Sequence, residues 1–425
     1  MKTITITCEN TGRDYHVAPG TTVGELQQII HPENRYPVMG ALVNNQLQDL
    51  QYVIMAPSRI NYVDMTSLDG YSVNTRSLIF VLYKAVTQLY PRRLLRVEYF
   101  LSNGIYCRIS HPDTKLTAEI IDRLREEMRQ IIAADYPITR ENIPTEKVVQ
   151  LFRKKGLKDK TDLLETRGKL YSSLYYIDKL PDYFYGTLCP STGCLQTFGL
   201  IPYKGGMLLQ LPDRHNPSEL RPFIRQDKLF QVFNEHKEWA KILEVSDIGS
   251  LNKLTESKRD NPVIKISEAL HEKKISQIAD QIKSRRKKVK VILIAGPSSS
   301  GKTTFSKRLA VQLTVNGIRP VNLSLDNYFV NREDTPLDEK GEYDYETIDA
   351  LDIATFTDNI RHLLAGEEVE IPKFSFEAGK RYYDGEKLRI APNNVIIVEG
   401  IHGLNPKLTQ LLPPDALFKI FVSAL

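Results

Sequence analysis

Polar and apolar residues alternate from Lys2 to Ile6, Asn10-Thr-Gly-Arg13 reads as a turn, and Tyr15-His-Val17 resumes the alternation, so the chain is predicted to open as a β-hairpin. Thr22-Val-Gly-Glu25 follows Pro19-Gly20 as a capping box ahead of a helix with apolar positions at Leu26, Ile29 and Ile30. Short strands are expected at 40–43 and 60–62. Helical spacing is weak over 228–243, around the single Trp239, and clearer at Ile266, Leu270, Ile275, Ile278 and Ile282. Beyond 289 the period changes again. The runs 289–295, 321–325, 395–398 and 418–425 read as strands, 395–398 as a buried one, and Leu309, Ala310 and Leu313 mark a helix between the first two. The fold class expected is α/β, with a doubly wound parallel sheet at the C-terminus preceded by a small hairpin-and-helix domain and an α+β domain.

Composition narrows the class. Of 425 residues, 41% are apolar and 26% charged, which suits two to four globular domains rather than a disordered chain. Cys8, Cys107, Cys189 and Cys194 form no CxxC pair and no disulfide framework, which fits a reducing compartment. The N-terminus lacks the apolar core of a signal peptide and no run of 18 apolar residues occurs, so a cytoplasmic protein without membrane partners is expected. The net charge of +5 is mild, and the cluster Lys283-Ser-Arg-Arg-Lys-Lys-Val-Lys290 reads as a solvated helix end. His236 and His271 are read as surface or packing residues.

The candidate chemistry begins where the apolar run 289–295 enters Gly296-Pro-Ser298-Ser299-Ser300-Gly301-Lys302-Thr303-Thr304 and then a helix. Strand, GxxxxGK[ST] and helix in that order make a phosphate-binding P-loop. Its backbone amides converge on phosphates at a helix N-terminus, Lys302 supplies a charge for the β/γ oxygens, and the Thr303 hydroxyl can ligate Mg²⁺, which predicts ATP or GTP binding. The second strand ends at Asp326. At the carboxyl end of a neighbouring strand that carboxylate should face the phosphates held by Lys302, and it is the candidate general base.

These marks, with Asp326-Asn-Tyr328-Phe329, Asp349-Ala-Leu-Asp352, Pro372-Lys-Phe374 and the strand ending Glu399-Gly-Ile401, resemble the uridine kinase family, related to phosphoribulokinase. The resemblance covers about 130 residues and implies an ATP- and Mg²⁺-dependent kinase with a small hydroxyl acceptor, a nucleoside above all. It implies Asp326 as base, Tyr328 and Tyr345 as aromatics around the nucleoside, Glu346 on the ribose hydroxyls, Phe374 near the base, Arg381 on the acceptor side and Glu399 as a Mg²⁺ holder through water. Two positions depart from the pattern. The family's Tyr-Asp-Phe is Phe374-Ser-Phe376, and the histidine that reads the pyrimidine falls on Gly379, so looser base selection is expected. The family's Arg-rich lid would follow Leu425, so a truncated chain that binds ATP yet turns over poorly is expected.

Residues 1–65 have the strand and helix order of a β-grasp and resemble a TGS domain, a module that implies interaction or RNA contact. Residues 66–215 resemble the second additional domain of threonyl-tRNA synthetase, through Thr75–Val86 with Leu89-Tyr-Pro91, Thr145–Phe152 and Phe184–Gly193. The family's metal-binding His, His, Cys and His fall on Arg76, Phe80, Phe184 and Leu188, which supply no zinc ligand, so a domain without metal or editing is expected. Cys189 and Cys194 read as idle thiols. Residues 216–288 are expected as linker and helix, and 289–425 as the kinase-like domain. The competing reading is a nucleotide-switched RNA- or tRNA-binding regulator. A GTPase would need Asn-Lys-x-Asp after the P-loop, and the near match Asn252-Lys-Leu-Thr255 precedes it. The sequence leaves the oligomeric state open.

Overall fold

In the computed structural model, which describes residues 3–110 and 116–423, contacts divide the chain into two units, Met1–Asp260 and Asn261–Leu425. Lys2, Ala424 and Leu425, which the strand expectations included, lie outside the described residues. Among those described, no helix is long and apolar enough to cross a membrane.

The first unit opens with β1 (Ile4–Cys8) paired to β2 (Arg13–Val17), Ile4 opposite Val17, as the alternation predicts. The Thr22 hydroxyl accepts from Glu25 N at 3.1 Å and Thr22 N donates to Glu25 Oε2 at 2.8 Å, closing the capping box of α1 (Val23–Ile30). β3 (Gly40–Val43), β4 (Gln46–Gln48) and β5 (Ser58–Val63) complete a sheet of order β2-β1-β5-β3-β4. Val23, Leu26 and Ile30 of α1 are buried, whereas Ile29 is 55% exposed, because 100° per residue carries it off the face shared by Leu26 and Ile30.

Helix α2 (Leu68–Leu89) buries Val73, Leu78, Phe80, Val81 and Leu82. It packs with α3 (Ala118–Ala133) and with strands β6 (Leu94–Leu101) and β7 (Gly104–Ser110) of an antiparallel sheet that two later strands complete. A second antiparallel sheet follows from β8 (Ile138–Pro144), α4 (Thr145–Lys154), α5 (Lys158–Thr166), β9 (Tyr171–Ile177) and β10 (Leu180–Tyr183), with Val148, Val149 and Phe152 of α4 in its core. β11 (Gly199–Tyr203) and β12 (Gly206–Gln210) return to the first sheet.

The stretch 216–288 is packed structure on both sides of the division. α6 (Asp227–Ile242) sets Phe230 and Phe233 against Tyr99, with ring centroids 6.3 and 4.2 Å away. α7 (Ile248–Glu256) brings Lys253 Nζ within 2.6 Å of Asp162 and 2.7 Å of Glu165 on α5. α8 (Asp260–Ser284) buries only its second half, Ile275, Ala279 and Ile282, in the second unit, and Ile264 and Ile266 stay exposed.

In the second unit, β13 (Val291–Ala295), β14 (Arg319–Ser324), β19 (Asn394–Glu399) and β20 (Leu417–Phe421) form an all-parallel sheet of order β14-β19-β13-β20. Every residue of β13 is buried, which is why its sequence shows no alternation. α8 and α9 (Lys302–Val315) cover one face, and α10 (Ile353–Leu364) covers the other with Phe356, Ile360 and Leu363. At roughly 1.5–3 kcal/mol for each large buried apolar side chain, these two layers fix the strand ends that carry the site. Short ribbons pair β15 (Val369–Glu370) with β18 (Lys387–Leu388) and β16 (Lys373–Ser375) with β17 (Lys380–Tyr382), and α11 (Pro406–Thr409) follows β19.

Candidate functional site

β13 turns into the loop 296–301 at its carboxyl end, and the loop's geometry accounts for its residues. A Cβ at Gly296 would overlap the Val422 carbonyl, and Gly301 has φ +85°, so both positions require glycine. Ser299 is also left-handed, at φ +58°. Gly301 caps α9 with no side-chain hydrogen bond, so the first N–H groups of that helix face outward with the positive end of its dipole. Lys302 Nζ donates to Pro297 O at 2.9 Å, and the Ser300 hydroxyl is buried without a partner. Thr303 Oγ1 donates to the Glu399 carboxylate, 3.0 and 2.9 Å from its two oxygens.

The sheet order puts Glu399 between the other two strand ends. β19 lies between β13 and β14, and Glu399 is in register with Ile294 on one side and Ser324 on the other. Asp326, two residues beyond Ser324, donates its N–H to the Ser324 hydroxyl at 3.3 Å. Asp326 is exposed, yet the atoms around its carboxyl desolvate it and raise it above the usual aspartate range, with Lys302 opposing that rise. Outward amides, an orphaned hydroxyl, a lysine and a threonine–carboxylate pair are the donor set that a nucleoside triphosphate with Mg²⁺ needs, and they fit it. Gly296, Ser298, Ser299, Ser300, Gly301, Lys302, Thr303 and Thr304 would hold the phosphates, and Thr303 with Glu399 the metal.

Tyr328, expected beside the acceptor, belongs to the core. It is fully buried, edge-on to Phe356 at 5.2 Å, and its hydroxyl accepts from Asn359 Nδ2 at 3.1 Å. Burial pushes that hydroxyl up to about 12. The neighbouring Phe329, also buried, is the residue that meets the other aromatics, with ring centroids 6.0 Å from Tyr345, 5.6 Å from Phe374 and 5.7 Å from Phe376. Arg332 was also missed. Its Nε donates to the Tyr345 hydroxyl at 3.2 Å and its Nη2 to Phe376 O at 2.9 Å, and a Cβ at Gly379 would come within 2.6 Å of that Nε. The guanidinium thus fills the space beside Gly379 where a larger side chain would stand.

Glu346 is exposed, its N–H donating to Asp344 Oδ1 at 2.9 Å. Arg381 is half-buried and spends Nη1 on Asp352 at 2.7 Å; burial works against the Asp352 charge, but bonds from Thr355 and Arg381 hold its carboxyl below the usual range. His402, three residues past Glu399, is half-buried, and that burial lowers its ring pKa against the pull of the backbone at Thr347 and Glu346, while its Nε2 is left without a partner. Its position right after Glu399-Gly-Ile was the only sequence signal for it.

In the first unit the four positions Arg76, Phe80, Phe184 and Leu188 also converge. The Phe80 and Phe184 centroids are 5.1 Å apart, Leu188 is buried in the same cluster, and Arg76 donates from Nε and Nη2 to Thr187 O at 3.0 and 2.9 Å. Among the described residues no group of three or more His, Cys, Asp or Glu side chains could hold a metal ion.

Residues 291–424 match the family model "Phosphoribulokinase / Uridine kinase family". These residues form a P-loop kinase domain. Solved structures similar to the chain include a possible uridine kinase from Bacillus stearothermophilus, 23% identical over 31% of this chain and 70% of that one, TM-score 0.26. Another is D-glycerate 3-kinase from Cryptococcus neoformans, 17% identical over 31% of this chain and 52% of that one, TM-score 0.24. The N-terminal region is similar to threonine–tRNA ligases: 27% identical over 197 residues in Aquifex aeolicus, 46% of this chain and 30% of the relative, and 27% over 170 residues in Thermotoga neapolitana, 40% and 26%. The chain thus spans under a third of the length of these curated relatives.

Proposed function

We propose that the kinase domain transfers the γ-phosphoryl group of ATP to a hydroxyl of a small polyol-bearing acceptor, a ribonucleoside 5′-hydroxyl being the leading case. The observation that carries this reading is the arrangement of three strand ends: the P-loop after β13, Glu399 on β19 hydrogen-bonded to Thr303, and Asp326 after β14 within the electrostatic reach of Lys302. A nucleotide switch needs the first two; a carboxylate desolvated at the third is what a phosphotransferase adds.

In this mechanism the outward amides of the loop and Lys302 bind and orient the phosphates, and Thr303 with Glu399 positions the metal. ATP with Mg²⁺, when bound, supplies the phosphoryl group and neutralises charge as it moves. Asp326 accepts the proton of the acceptor hydroxyl at a carboxylate oxygen, and its raised basicity helps it do so. Glu346, its N–H held by Asp344, accepts from the acceptor's vicinal hydroxyls. Phe329, Tyr345 and Phe374 form an apolar wall against one face of the acceptor, and Arg381 braces the wall through Asp352.

The test is ATP-dependent phosphorylation of a panel of ribonucleosides and sugars by the chain and by Asp326→Asn. Transfer that is lost in the variant, with ATP binding retained, supports the reading. ATP binding with no transfer to any acceptor overturns it.

A further inference from the structure

The turn Cys189-Pro-Ser-Thr-Gly-Cys194 takes no part in the kinase reading, and its two thiols are not equivalent. Hydrogen bonds strap its backbone to the surrounding domain: Cys189 N to Ser77 Oγ at 2.9 Å, Ile138 N to Pro190 O at 2.9 Å, Thr192 N to Tyr136 O at 2.9 Å and Gly193 N to Asp135 Oδ1 at 2.8 Å. Thr192 Oγ1 adds a bond to Ile131 O at 2.8 Å. Held in this way, both side chains fold back on Ser191. Cys189 Sγ donates to Ser191 O at 3.1 Å, and Cys194 Sγ lies 3.8 Å from Ser191 Oγ.

Exposure separates their roles. Cys189 is buried, while Cys194 is half-buried and lines two clefts. The first, about 320 Å³, is also bounded by Tyr36, Met39, Met65 and Asn74. Asn74 is 2% exposed and its Nδ2 has no partner, so a small oxygen-bearing molecule entering this cleft meets a free donor as well as the sulfur. The second opens past Asp135, Ser191 and Gly193. The neighbouring Cys189 thiol and Ser191 draw the Cys194 thiol down, whereas burial pushes the Cys189 thiol well up. Cys194 therefore reaches the thiolate, the form that reacts, at lower pH than Cys189.

We propose that Cys194 is a site of reversible oxidation by hydroperoxides, with Cys189 as its resolving thiol. The Cys194 thiolate attacks one peroxide oxygen, the O–O bond breaks, and the other oxygen leaves as water or an alcohol after taking a proton, so that Cys194 becomes a sulfenic acid. The Cys189 sulfur then attacks the Cys194 sulfur, hydroxide departs with the Cys189 proton as water, and a disulfide closes. Two electrons pass from the thiols to the peroxide. Both sulfurs meet Ser191 on one turn strapped at both ends, which keeps the two thiols close together while the disulfide closes.

The test uses the full chain, reduced, freed of reductant and exposed to graded hydrogen peroxide before denaturing alkylation and tryptic mass mapping. Both cysteines fall in one peptide, Leu180–Lys204, so a disulfide shows as two missing hydrogens and the simultaneous loss of both alkylations. The expected result is this product at peroxide levels that leave the buried Cys8 and Cys107 fully alkylated. Iodoacetamide at pH 7 should also label native Cys194 about tenfold faster than the other three cysteines. In Cys189→Ser a 1,3-diketone should trap the sulfenic acid at Cys194. The proposal fails if the peptide stays alkylated, if Cys194 is oxidised while Cys189 stays free in the native chain, or if Cys8 and Cys107 react at the same dose. The native-chain map decides even where the variant does not fold.

Discussion

Thr303 Oγ1, in the first turn of α9, donates to Glu399 at the end of β19, 3.0 and 2.9 Å from the two carboxylate oxygens. The parallel register sets Glu399 beside Ile294, and the loop that leaves β13 carries Thr303 back over that strand end. Glu399→Gln keeps a hydrogen-bond acceptor for Thr303 and removes the charge, so it should raise the Mg²⁺ concentration for half-maximal activity by about 10–100-fold. A magnesium titration of ATP-dependent transfer checks this. An unchanged midpoint would show that Glu399 serves only to hold the helix.

Asp326→Asn should lower kcat/KM by about 10²–10⁴. It should also raise the thermal midpoint at neutral pH. The folded-state pKa of Asp326 lies above the unfolded value, so the folded chain binds the extra proton between the two, and stability falls as pH rises through that window. Above it the carboxylate is a cost that the neutral amide lacks. Lys302 opposes the rise, so Lys302→Met should move the Asp326 pKa higher still, read by carboxyl carbon NMR titration without any need for activity. A downward move would remove Lys302 from the electrostatics of the site.

The P-loop and the Asp326 strand end were legible because a short run of residue types specifies both conformation and chemistry there. Tyr328 and Phe329 were not. They sit at and just past the end of a 3-10 turn, where successive side chains diverge widely and no period tells which one faces the core. Arg332 escaped notice because its place is set by a contact with Gly379, 47 positions along the chain by their numbers. The stretch 216–260 looked like a linker because its packing depends on a few aromatic anchors, Phe223, Phe230 and Phe233, too sparse to raise a periodic signal.

The roles of Tyr328 and Phe329 can be checked by two substitutions that differ in the acceptor KM. Tyr328→Phe leaves the half-buried Asn359 amide without its acceptor and should cost about 1 kcal/mol in stability, with the acceptor KM within twofold of the parent. Phe329→Ala removes a buried ring that meets Tyr345, Phe374 and Phe376, so it should cost about 3–5 kcal/mol in stability and also raise the acceptor KM by about tenfold or more. Denaturant melts and initial rates on the same preparations separate the two. A larger KM change for Tyr328→Phe would restore the sequence expectation.

Phe80 and Phe184 pack ring against ring at two of the four positions where the synthetase resemblance expects metal ligands. Phe80→Ala should then destabilise the first unit by about 3–5 kcal/mol, the cost of removing a fully buried ring. Phe80→His should cost nearly as much, since the imidazole would lie among Phe184 and Leu188 with no partner, and it should bind no zinc. The fourfold change Arg76→His, Phe80→His, Phe184→Cys and Leu188→His restores a tetrahedral donor set on positions that already converge. Chelator competition should then detect one zinc per chain, along with recovery of part of the lost stability. If the fourfold variant folds and takes up no zinc, the convergence of these positions is one of packing alone and the backbone has moved away from ligand geometry.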